Sequence, residues 1–171
     1  VRNEADPIRA GYAALLDWVA GVANEQEREY VLDLGCGTGN LTAKLKATKK
    51  LIGVDVSAKM MKVARLKIEQ PVDYLQADLL EFFDNNHVNF DAIVSTYAVH
   101  HLTVLEKKEL LRRCVDRLNP GGVAVFGDLM FRDEGDRDVI LSRYASEDRG
   151  GLVEDINDEF FWDLSRAVRF L

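Results

Sequence analysis

The segment VLDLGCGTGN, residues 31–40, joins an apolar run to a loop in which every second residue is glycine. The run that starts at Tyr30 and ends at Leu34 is short and mainly apolar, which predicts a buried strand. Glycine is favoured where the backbone takes a positive φ or where another group comes close to it. Three alternating glycines exceed what a turn from strand to helix needs, so the segment predicts a strand followed by a ligand-binding loop. These glycines are Gly35, Gly37 and Gly39.

Four further strand-like runs follow the glycine loop at intervals of roughly twenty residues, with helical patterns between them. Strands that alternate with helices imply parallel pairing with right-handed crossovers. The chain is therefore predicted to fold as a three-layer α/β sandwich with a mostly parallel sheet. The further strands are predicted at 51–56, 72–76, 90–95 and from 123. Helices are predicted over about 41–47, from Ser57, and after a capping box formed by Thr103 and Glu106.

The two ends of the chain are predicted to be helical. Asp6 and Pro7 suit the start of a helix, with Asp as N-cap and Pro in the first turn. Residues 136–149 are predicted to be helical up to a break at Gly150-Gly151, and residues 160–171 are predicted to form an amphipathic helix. No sixth or seventh strand is evident from the sequence.

A chain of 171 residues is the size of one domain. We expect an N-terminal helix over 1–24, a ligand-binding core over 30–128 and a helical cover for a substrate over 129–171. The formal net charge of −7 makes nucleic acid and anionic lipid poor partners. No run is apolar and long enough for a membrane span. The only two cysteines, Cys36 and Cys114, fit a reducing cytoplasm and suggest no metal site.

Two ligand classes use a glycine loop with an acid about twenty residues later, and Asp55 suits the ribose hydroxyls of either class. A dinucleotide loop needs a third small residue at position 40, where this chain has Asn40. Asp33 also places a carboxylate where a pyrophosphate would lie. Like charges about 4 Å apart repel by roughly 4 kcal/mol at an effective dielectric near 20. A ligand that carries a sulfonium and an ammonium, such as S-adenosylmethionine, reverses the sign of this term.

Five segments in order resemble the successive motifs of class I S-adenosylmethionine-dependent methyltransferases, which implies a Rossmann-like fold. Within that superfamily, the run STYAVHHLT resembles bacterial small-molecule methyltransferases of the YrrT-like kind. The resemblance implies a methyl transfer from S-adenosylmethionine to a small-molecule acceptor, and it also implies a C-terminal antiparallel hairpin that this chain does not show. The five segments are VLDLGCGTGN, GVDVS, QADLLEF, FDAIVSTYAVHHL and LNPGGVAVFGDL.

The resemblance implies a role for each matching position. Asp33 would help to hold the cofactor's amino group, and Asp55 would bind both ribose hydroxyls with Val56 under the adenine. Asp55 also has a plain reading as a helix-capping acid beside Ser57. The residues implied to approach the methionine part of the cofactor are Gly35, Cys36, Gly37 and Gly39.

Three further positions complete the implied cofactor site. Asp78 would accept a hydrogen bond from the adenine amino group, and Leu79 would donate its backbone N–H to the ring. Ser95 and its neighbours would line the passage to the methyl group. Asp78 has the competing reading that it only caps the turn that follows it.

His100, His101 and Tyr97 are the candidate catalytic residues, because one of them could orient the acceptor or accept its proton. Of two adjacent histidines, one normally points into the protein and the other faces the pocket. Cys36 is interpreted as a small loop residue, since no activating base can be placed beside it. Met60 and Met61 are interpreted as core residues.

Methyl transfer by in-line displacement needs no metal and no covalent intermediate. The alternative in another class is a catalytically silent module that binds S-adenosylmethionine or S-adenosylhomocysteine. A methyltransferase for DNA amino groups would be expected to carry an Asn/Asp-Pro-Pro-aromatic run after the fourth strand, where this chain has STYA. A nicotinamide-dependent oxidoreductase is the third alternative.

Overall fold

A computed structural model describes residues 10–167. Its main element is a five-stranded sheet in the order β3-β2-β1-β4-β5, in which every neighbouring pair is parallel. The order reverses between β1 and β4, which makes the carboxyl ends of these two strands the expected ligand-binding edge. The strands are β1 (Tyr30–Leu34), β2 (Lys50–Asp55), β3 (Asp73–Gln76), β4 (Phe90–Thr96) and β5 (Leu118–Gly127).

Helices cover both faces of this sheet, which confirms the predicted α/β sandwich. Val31 and Leu32 point to opposite faces, as neighbouring residues of a strand must. Val31 joins the apolar cluster that α1 covers, and Leu32 joins the cluster that contains the residues of α3 and α4. The helices around the sheet are α1 (Tyr12–Ala23), α2 (Ala58–Lys67), α3 (Leu79–Asn85) and α4 (Val104–Asp116).

Side-chain caps start the helices where the sequence predicts them. Ser57 caps α2 by accepting from the N–H of Met60, and Thr103 and Glu106 form the predicted capping box of α4. The predicted helix over 41–47 is wrong, because only the single 3₁₀ turn Thr42–Lys44 forms there. The proposed helix start at Asp6 and Pro7 lies outside the described residues.

The segment after β5 differs from its prediction. Helix α5 (Glu134–Ser146) is present, but Gly150 and Gly151 open a further helix, α6 (Gly150–Asp158), where the sequence indicated a break. Residues 160–163 are not helical, because Trp162–Asp163 (β7) pairs in parallel with Met130–Phe131 (β6) in a separate two-stranded sheet. A short helix, α7 (Leu164–Ala167), follows. No helix among residues 10–167 combines the length and the apolar character needed to cross a membrane.

Asp91 joins the amino end of β1 to the start of β5. Its carboxylate accepts from the backbone N–H groups of Glu29 and Tyr30 and from the side-chain amide of Asn119. Burial alone would raise the pKa of Asp91, but these hydrogen bonds outweigh it and lower the pKa. The carboxylate is therefore one of the polar ties that hold the edge of the sheet opposite the predicted ligand site.

We predict that Asp91→Ala lowers the free energy of unfolding by about 1–3 kcal/mol, because three donors lose their acceptor. Chemical denaturation followed by circular dichroism measures this change. Asp116→Ala is the matched control, since Asp116 forms only an exposed pair with Arg112 and its loss costs about 0.5 kcal/mol or less. Equal effects of the two substitutions would contradict the structural role of Asp91.

Candidate functional site

A cavity of about 630 Å³ lies at the carboxyl ends of β1 and β4. This volume is within the range of small-molecule sites, which is about 300–1,000 Å³. The glycine loop after β1, the segment after β4 and helix α6 form its walls. The residues that line it are Tyr12, Asp33, Gly35, Cys36, Gly37, Thr38, Asn40, Leu41, Met60, Thr96, Tyr97, His100, His101, Leu129, Asp155, Asp158, Glu159 and Phe161.

A side chain would not fit at two positions of the glycine loop, Gly35 and Gly39, and a Cβ at Gly39 would lie 2.5 Å from Cδ1 of Ile68 in the segment after α2. Gly35 has a φ of +73°, and a Cβ there would lie 2.3 Å from the Cβ of Ala98, which leaves no room for any other residue. Gly37 has a φ of +52°, and the nearest atom to the position of a Cβ there is the sulfur of Met60 at 3.8 Å, so this position is not crowded. Gly37 also lines the cavity, where a ligand can approach its backbone.

Asp55 connects the end of β2 to the glycine loop. Oδ2 accepts from the N–H of Gly37 at 2.8 Å, and Oδ1 accepts from the N–H of Ser57 at 2.8 Å. Ser57 itself caps α2, so the capping role considered for Asp55 belongs to its neighbour. A carboxylate has about four acceptor positions. Asp55 therefore retains the capacity to accept from a ligand while it positions the loop.

Asp33 is 1% exposed and accepts a hydrogen bond from the hydroxyl of Thr42 at 2.6 Å. Burial raises its pKa to about 7, against which the Thr42 hydrogen bond acts, and the nearby Asp55 adds to the rise. Near neutral pH, without a ligand, this carboxyl group is thus about half protonated. Asp33 is therefore not the fixed negative charge that the sequence suggested, because burial favours its neutral form.

Six of the predicted cofactor residues are not part of the cavity lining, namely Gly39, Asp55, Val56, Asp78, Leu79 and Ser95. Val56 is 63% exposed, so its side chain is accessible to a ligand. Asp78 caps α3 by accepting from the N–H groups of Leu80 and Glu81 through one oxygen, as its competing reading proposed. The N–H of Leu79 belongs to the first turn of α3, where no intrahelical acceptor exists.

The structure differs from the sequence interpretation at Ser95 and Met60 and agrees with it at Met61 and Cys36. Ser95 is buried and donates to the carbonyl oxygen of Leu34, so Thr96 and Tyr97 line the cavity in its place. Met60 is half exposed and lines the cavity, whereas Met61 is a core residue. Burial raises the pKa of the Cys36 thiol above its ordinary range, which agrees with its reading as a loop residue and not a nucleophile.

Tyr97 is held in an unusual backbone conformation at the end of β4. Its φ is +51°, which is rare for an aromatic residue and is found mostly where a structure needs a particular side-chain direction. Its N–H donates to the carbonyl oxygen of Gly127, and its ring makes an edge contact with that of Tyr12. The hydroxyl of Tyr12 accepts from the side chain of Asn40. These contacts connect α1, the glycine loop and β4 across the cavity.

Both candidate histidines line the cavity, although only one of them was expected to do so. His100 is 7% exposed, and its Nδ1 lies 2.6 Å from Oδ1 of Asp128, whose other oxygen accepts from the N–H of His100. His101 is largely exposed, and its Nδ1 lies 2.8 Å from Oε2 of Glu159. His100 is therefore the rigid member of the pair.

The sequence analysis missed Asp128 and Glu159 as partners of these histidines. Their sequence distances from them are 28 and 58 residues, and no local pattern reports such contacts. His100, His101 and Glu159 also offer ligand atoms within 4.8 Å of one another, a set that could hold a metal ion. The direct contact between His101 and Glu159 satisfies these two side chains without one.

Helix α6 adds Asp155 and Asp158 to the cavity wall, and Glu159 directly after the helix adds a third acidic side chain. Ile156 packs against Phe131 and Tyr144 on one side of the segment. Asp155, Asp158 and Glu159 face the cavity on the other. Residues three and four positions apart share one face of a helix, and this spacing was the available signal. It was missed because the two glycines before the helix were read as a break.

Backbone contacts attach the end of α6 to the core. The N–H of Phe160 donates to the carbonyl oxygen of His100, and the carbonyl oxygen of Phe160 accepts from the ammonium group of Lys107. Burial lowers the pKa of Lys107 to about 8, while Asp128, Glu106 and Glu159 act in the opposite direction. Within the predicted substrate cover over 129–171, Phe161 lines the cavity, whereas Trp162 lies in the main core.

Comparison with known proteins gives one family match and many similar chains. The family model described as "Methyltransferase domain" matches residues 31–122. An uncharacterized methyltransferase of Geobacillus kaustophilus is 37% identical over 158 residues, which cover 92% of this chain and 71% of the relative. The uncharacterized methyltransferase YrrT of Halobacillus halophilus is 30% identical over 159 residues, which cover 92% of this chain and 72% of the relative.

Solved structures share the fold. The N-methyltransferase NodS from Bradyrhizobium japonicum WM9, in complex with S-adenosylhomocysteine, has a TM-score of 0.59 at 23% identity, with 72% of this chain and 63% of NodS covered. The plantazolicin methyltransferase BpumL, in complex with a triazolic desmethylPZN analog and S-adenosylhomocysteine, has a TM-score of 0.70 at 19% identity. That match covers 98% of this chain and 64% of BpumL. This chain thus spans less than two thirds of either solved protein.

The pKa of Asp33 predicts how stability depends on pH. The folded carboxyl group keeps its proton up to about pH 7, whereas the unfolded group releases it near 3.8. The folded state therefore binds more protons between these values, and the free energy of unfolding falls as pH rises through this window. The contribution of this one group amounts to roughly 4 kcal/mol across the window.

We predict that Asp33→Asn removes this part of the pH dependence, because the amide does not ionise and still accepts from Thr42. Denaturation of the ligand-free chain between pH 4 and pH 8 measures it. Asp73→Asn serves as a control, since Asp73 forms only an exposed pair with Lys50 and should leave the slope nearly unchanged. An unaltered slope in Asp33→Asn would show that the buried carboxyl group does not titrate in this range.

Proposed function

The chain belongs to the methyltransferase-domain family and is an S-adenosylmethionine-dependent enzyme, and we propose that it methylates a small-molecule acceptor in the cavity beyond β1 and β4. The observation that carries the proposal is the combination of an open glycine loop with two acidic side chains, Asp33 and Asp55, along one edge of the sheet. The size of the cavity suits a small organic molecule beside the methyl donor.

The residues present fit this cofactor. The open backbone surface at Gly37 leaves room for the methionine part, and Asp33 would hold its amino group. Asp55 would bind the ribose hydroxyls with its remaining acceptor positions. Val56 and Asp78 would contact the adenine on the open edge of the sheet. S-adenosylmethionine supplies a methyl group on a sulfonium, which is already a good leaving group.

Asp33 couples cofactor binding to pH. An ammonium group beside a carboxyl group favours its charged form and lowers its pKa. Because the pKa of Asp33 is about 7 in the ligand-free chain, binding should displace a proton from it when the pH is near or below that value. In the empty site the protonated carboxyl group leaves no unpaired buried charge. When the cofactor's ammonium group binds, the carboxyl group would lose its proton and pair with it as a carboxylate.

His100 is the proposed general base, which would take a proton from the molecule that receives the methyl group. Nδ1 of His100 is held by Asp128, so the ring is fixed and Nε2 is its remaining proton-accepting atom. Asp128 is a positioning residue, because it acts through His100 and the backbone around it. His101 and Tyr97 are proposed to orient the acceptor from the adjacent wall.

The chain would also contribute to the rate of methyl transfer by aligning the acceptor with the methyl donor. Holding two reactants in the reactive geometry can supply on the order of 7 kcal/mol or more of the barrier reduction. The rigid contacts between Tyr97, Tyr12 and Asn40, and the attachment of α6 through Phe160, would supply this alignment and limit the access of water. No residue of the chain needs to form a covalent intermediate.

The alternatives fit the site less well. A silent binding module needs no His100–Asp128 pair inside the cavity. A net charge of −7 disfavours nucleic acid as the acceptor. Two buried free cysteines, Cys36 and Cys114, support a reducing compartment, and the proposal includes a cytoplasmic location.

Calorimetric titration with S-adenosylhomocysteine tests the cofactor site. We predict one binding site per chain, and release of up to one proton at pH 6 when the titration is repeated in buffers of different ionisation enthalpy. Asp33→Asn should abolish the proton release. Binding of NAD⁺ in place of S-adenosylhomocysteine would contradict the proposal.

We predict that His100→Gln lowers kcat for methyl transfer by about 100-fold or more, because general-base catalysis typically contributes 10²–10⁴-fold. Asp128→Asn should lower kcat less and shift the pH profile of kcat/KM. His87→Gln is the control, since His87 contacts Arg117 away from the cavity. Unchanged binding of S-adenosylhomocysteine in all three variants separates catalysis from folding, and a fully active His100→Gln would refute the role of His100.

A further inference from the structure

The charges around the cavity are all of one sign. Four carboxyl groups line it, and no Lys or Arg is among the lining residues of the described chain. Asp33 lies at the glycine loop, where it would be matched by the cofactor's amino group. The other three, Asp155, Asp158 and Glu159, lie on the opposite wall at the end of α6, where the acceptor would bind.

Two of these acceptor-side carboxylates have no partner within the chain. Glu159 contacts His101 and lies near the ammonium group of Lys107. Asp155 and Asp158 form no ion pair or hydrogen bond with any other side chain of residues 10–167, although one face of α6 presents both to the cavity. Their negative charges are therefore available to a ligand.

The neighbouring side chains also suit a cation. Tyr12, Tyr97 and Phe161 line the same cavity, and aromatic faces attract ammonium groups. His100 is 7% exposed, and its Nε2 has no hydrogen-bond partner among the described residues. Since the ring is held through Nδ1 and lines the cavity, this nitrogen is available to a proton-carrying atom of a ligand.

We propose that the methyl acceptor is an amine that arrives as its protonated cation and is bound by the carboxylates of Asp155 and Asp158. The inference rests on the proposed function, because it names the class of acceptor for the same site. A carboxylate or phosphate acceptor would face only like charges on this wall, and a neutral alcohol would leave the two carboxylates unused.

The chemistry follows from this assignment. The ammonium group gives a proton to Nε2 of His100, which leaves a neutral amine with a free electron pair. The nitrogen then forms a bond to the methyl carbon while the bond between that carbon and sulfur breaks and its electron pair stays on sulfur. The products are a methylated ammonium and the uncharged thioether S-adenosylhomocysteine.

The carboxylates of Asp155 and Asp158 would assist the methyl transfer as well as the binding of the amine. During transfer to a neutral amine, the positive charge moves from sulfur to nitrogen, toward α6. Fixed carboxylates beside the nitrogen stabilise the charge where it develops. A transfer to an alkoxide or carboxylate develops no positive charge there, so the same wall would give no such benefit.

Fractionated metabolites test the acceptor class directly. The full chain is incubated with S-adenosylmethionine that carries a tritiated methyl group and with the cationic, neutral and anionic fractions of a metabolite extract separated by ion exchange. We expect label to be transferred in the cationic fraction, and acetylation of the amines in that fraction to abolish the transfer.

Variants on α6 test the residues. Replacing both aspartates, Asp155→Asn with Asp158→Asn, should raise KM for the cationic acceptor about tenfold, since each exposed ion pair contributes up to severalfold. The wild-type KM should also rise with ionic strength. Glu154→Gln is the matched control, because Glu154 is exposed on the same helix and does not line the cavity.

Calorimetry with S-adenosylhomocysteine distinguishes a failure of the amine assignment from a failure of the proposed methyl transfer. The affinity for S-adenosylhomocysteine should be the same in the double variant, the control and the wild type. Label confined to the neutral or anionic fraction, or equal KM values for the double variant and the control, would overturn the amine assignment and leave methyl transfer standing. Intact binding of S-adenosylhomocysteine without label transfer from any fraction would overturn both.

Discussion

The hydrogen bond from the N–H of Gly37 to the carboxylate of Asp55 connects the two parts of the site that the fold must bring together. Parallel pairing of β1 with β2 places the end of each strand at the same edge, and this bond closes the glycine loop against β2. The loop then has one conformation, which keeps its backbone surface open toward the cavity. Because Asp55 lies at the end of a strand, its remaining acceptor positions are fixed in space before a ligand arrives.

The carboxyl groups on the two walls of the cavity lie in different environments. Burial keeps Asp33 largely uncharged below pH 7 in the empty site, and Thr42 holds its carboxyl group in position. On the opposite wall, Asp155 and Asp158 are exposed and have no side-chain partner among residues 10–167. The proposed cation sites on the two walls thus differ in their environment, with a buried carboxyl group on one side and solvated ones on the other.

Strands β1, β2 and β4 could be predicted from the sequence because their runs are local and strongly apolar, and β1 (Tyr30–Leu34) begins and ends where the apolar run does. Strand β5 starts at Leu118, before its predicted start at 123, because residues 119–122 are not an apolar run. The helix caps at Ser57 and Thr103 were also predictable, since a cap is a local pattern. The helix over 41–47 was not formed, because residues 41 and 45 bury their side chains without continuing the helical hydrogen bonds beyond a single turn. The contacts of Asp128 with His100 and of Glu159 with His101 escaped prediction because they join residues far apart in the sequence, and the acids of α6 escaped it because Gly150-Gly151 suggested a break.

A crystal structure of the chain with S-adenosylhomocysteine tests the central claim most directly. The ligand's amino group should lie within hydrogen-bonding distance of Asp33, its ribose hydroxyls on the carboxylate of Asp55, and its sulfur should face the cavity wall that carries His100. A ligand bound elsewhere, or a glycine loop that stays empty at saturating concentration, would contradict the account.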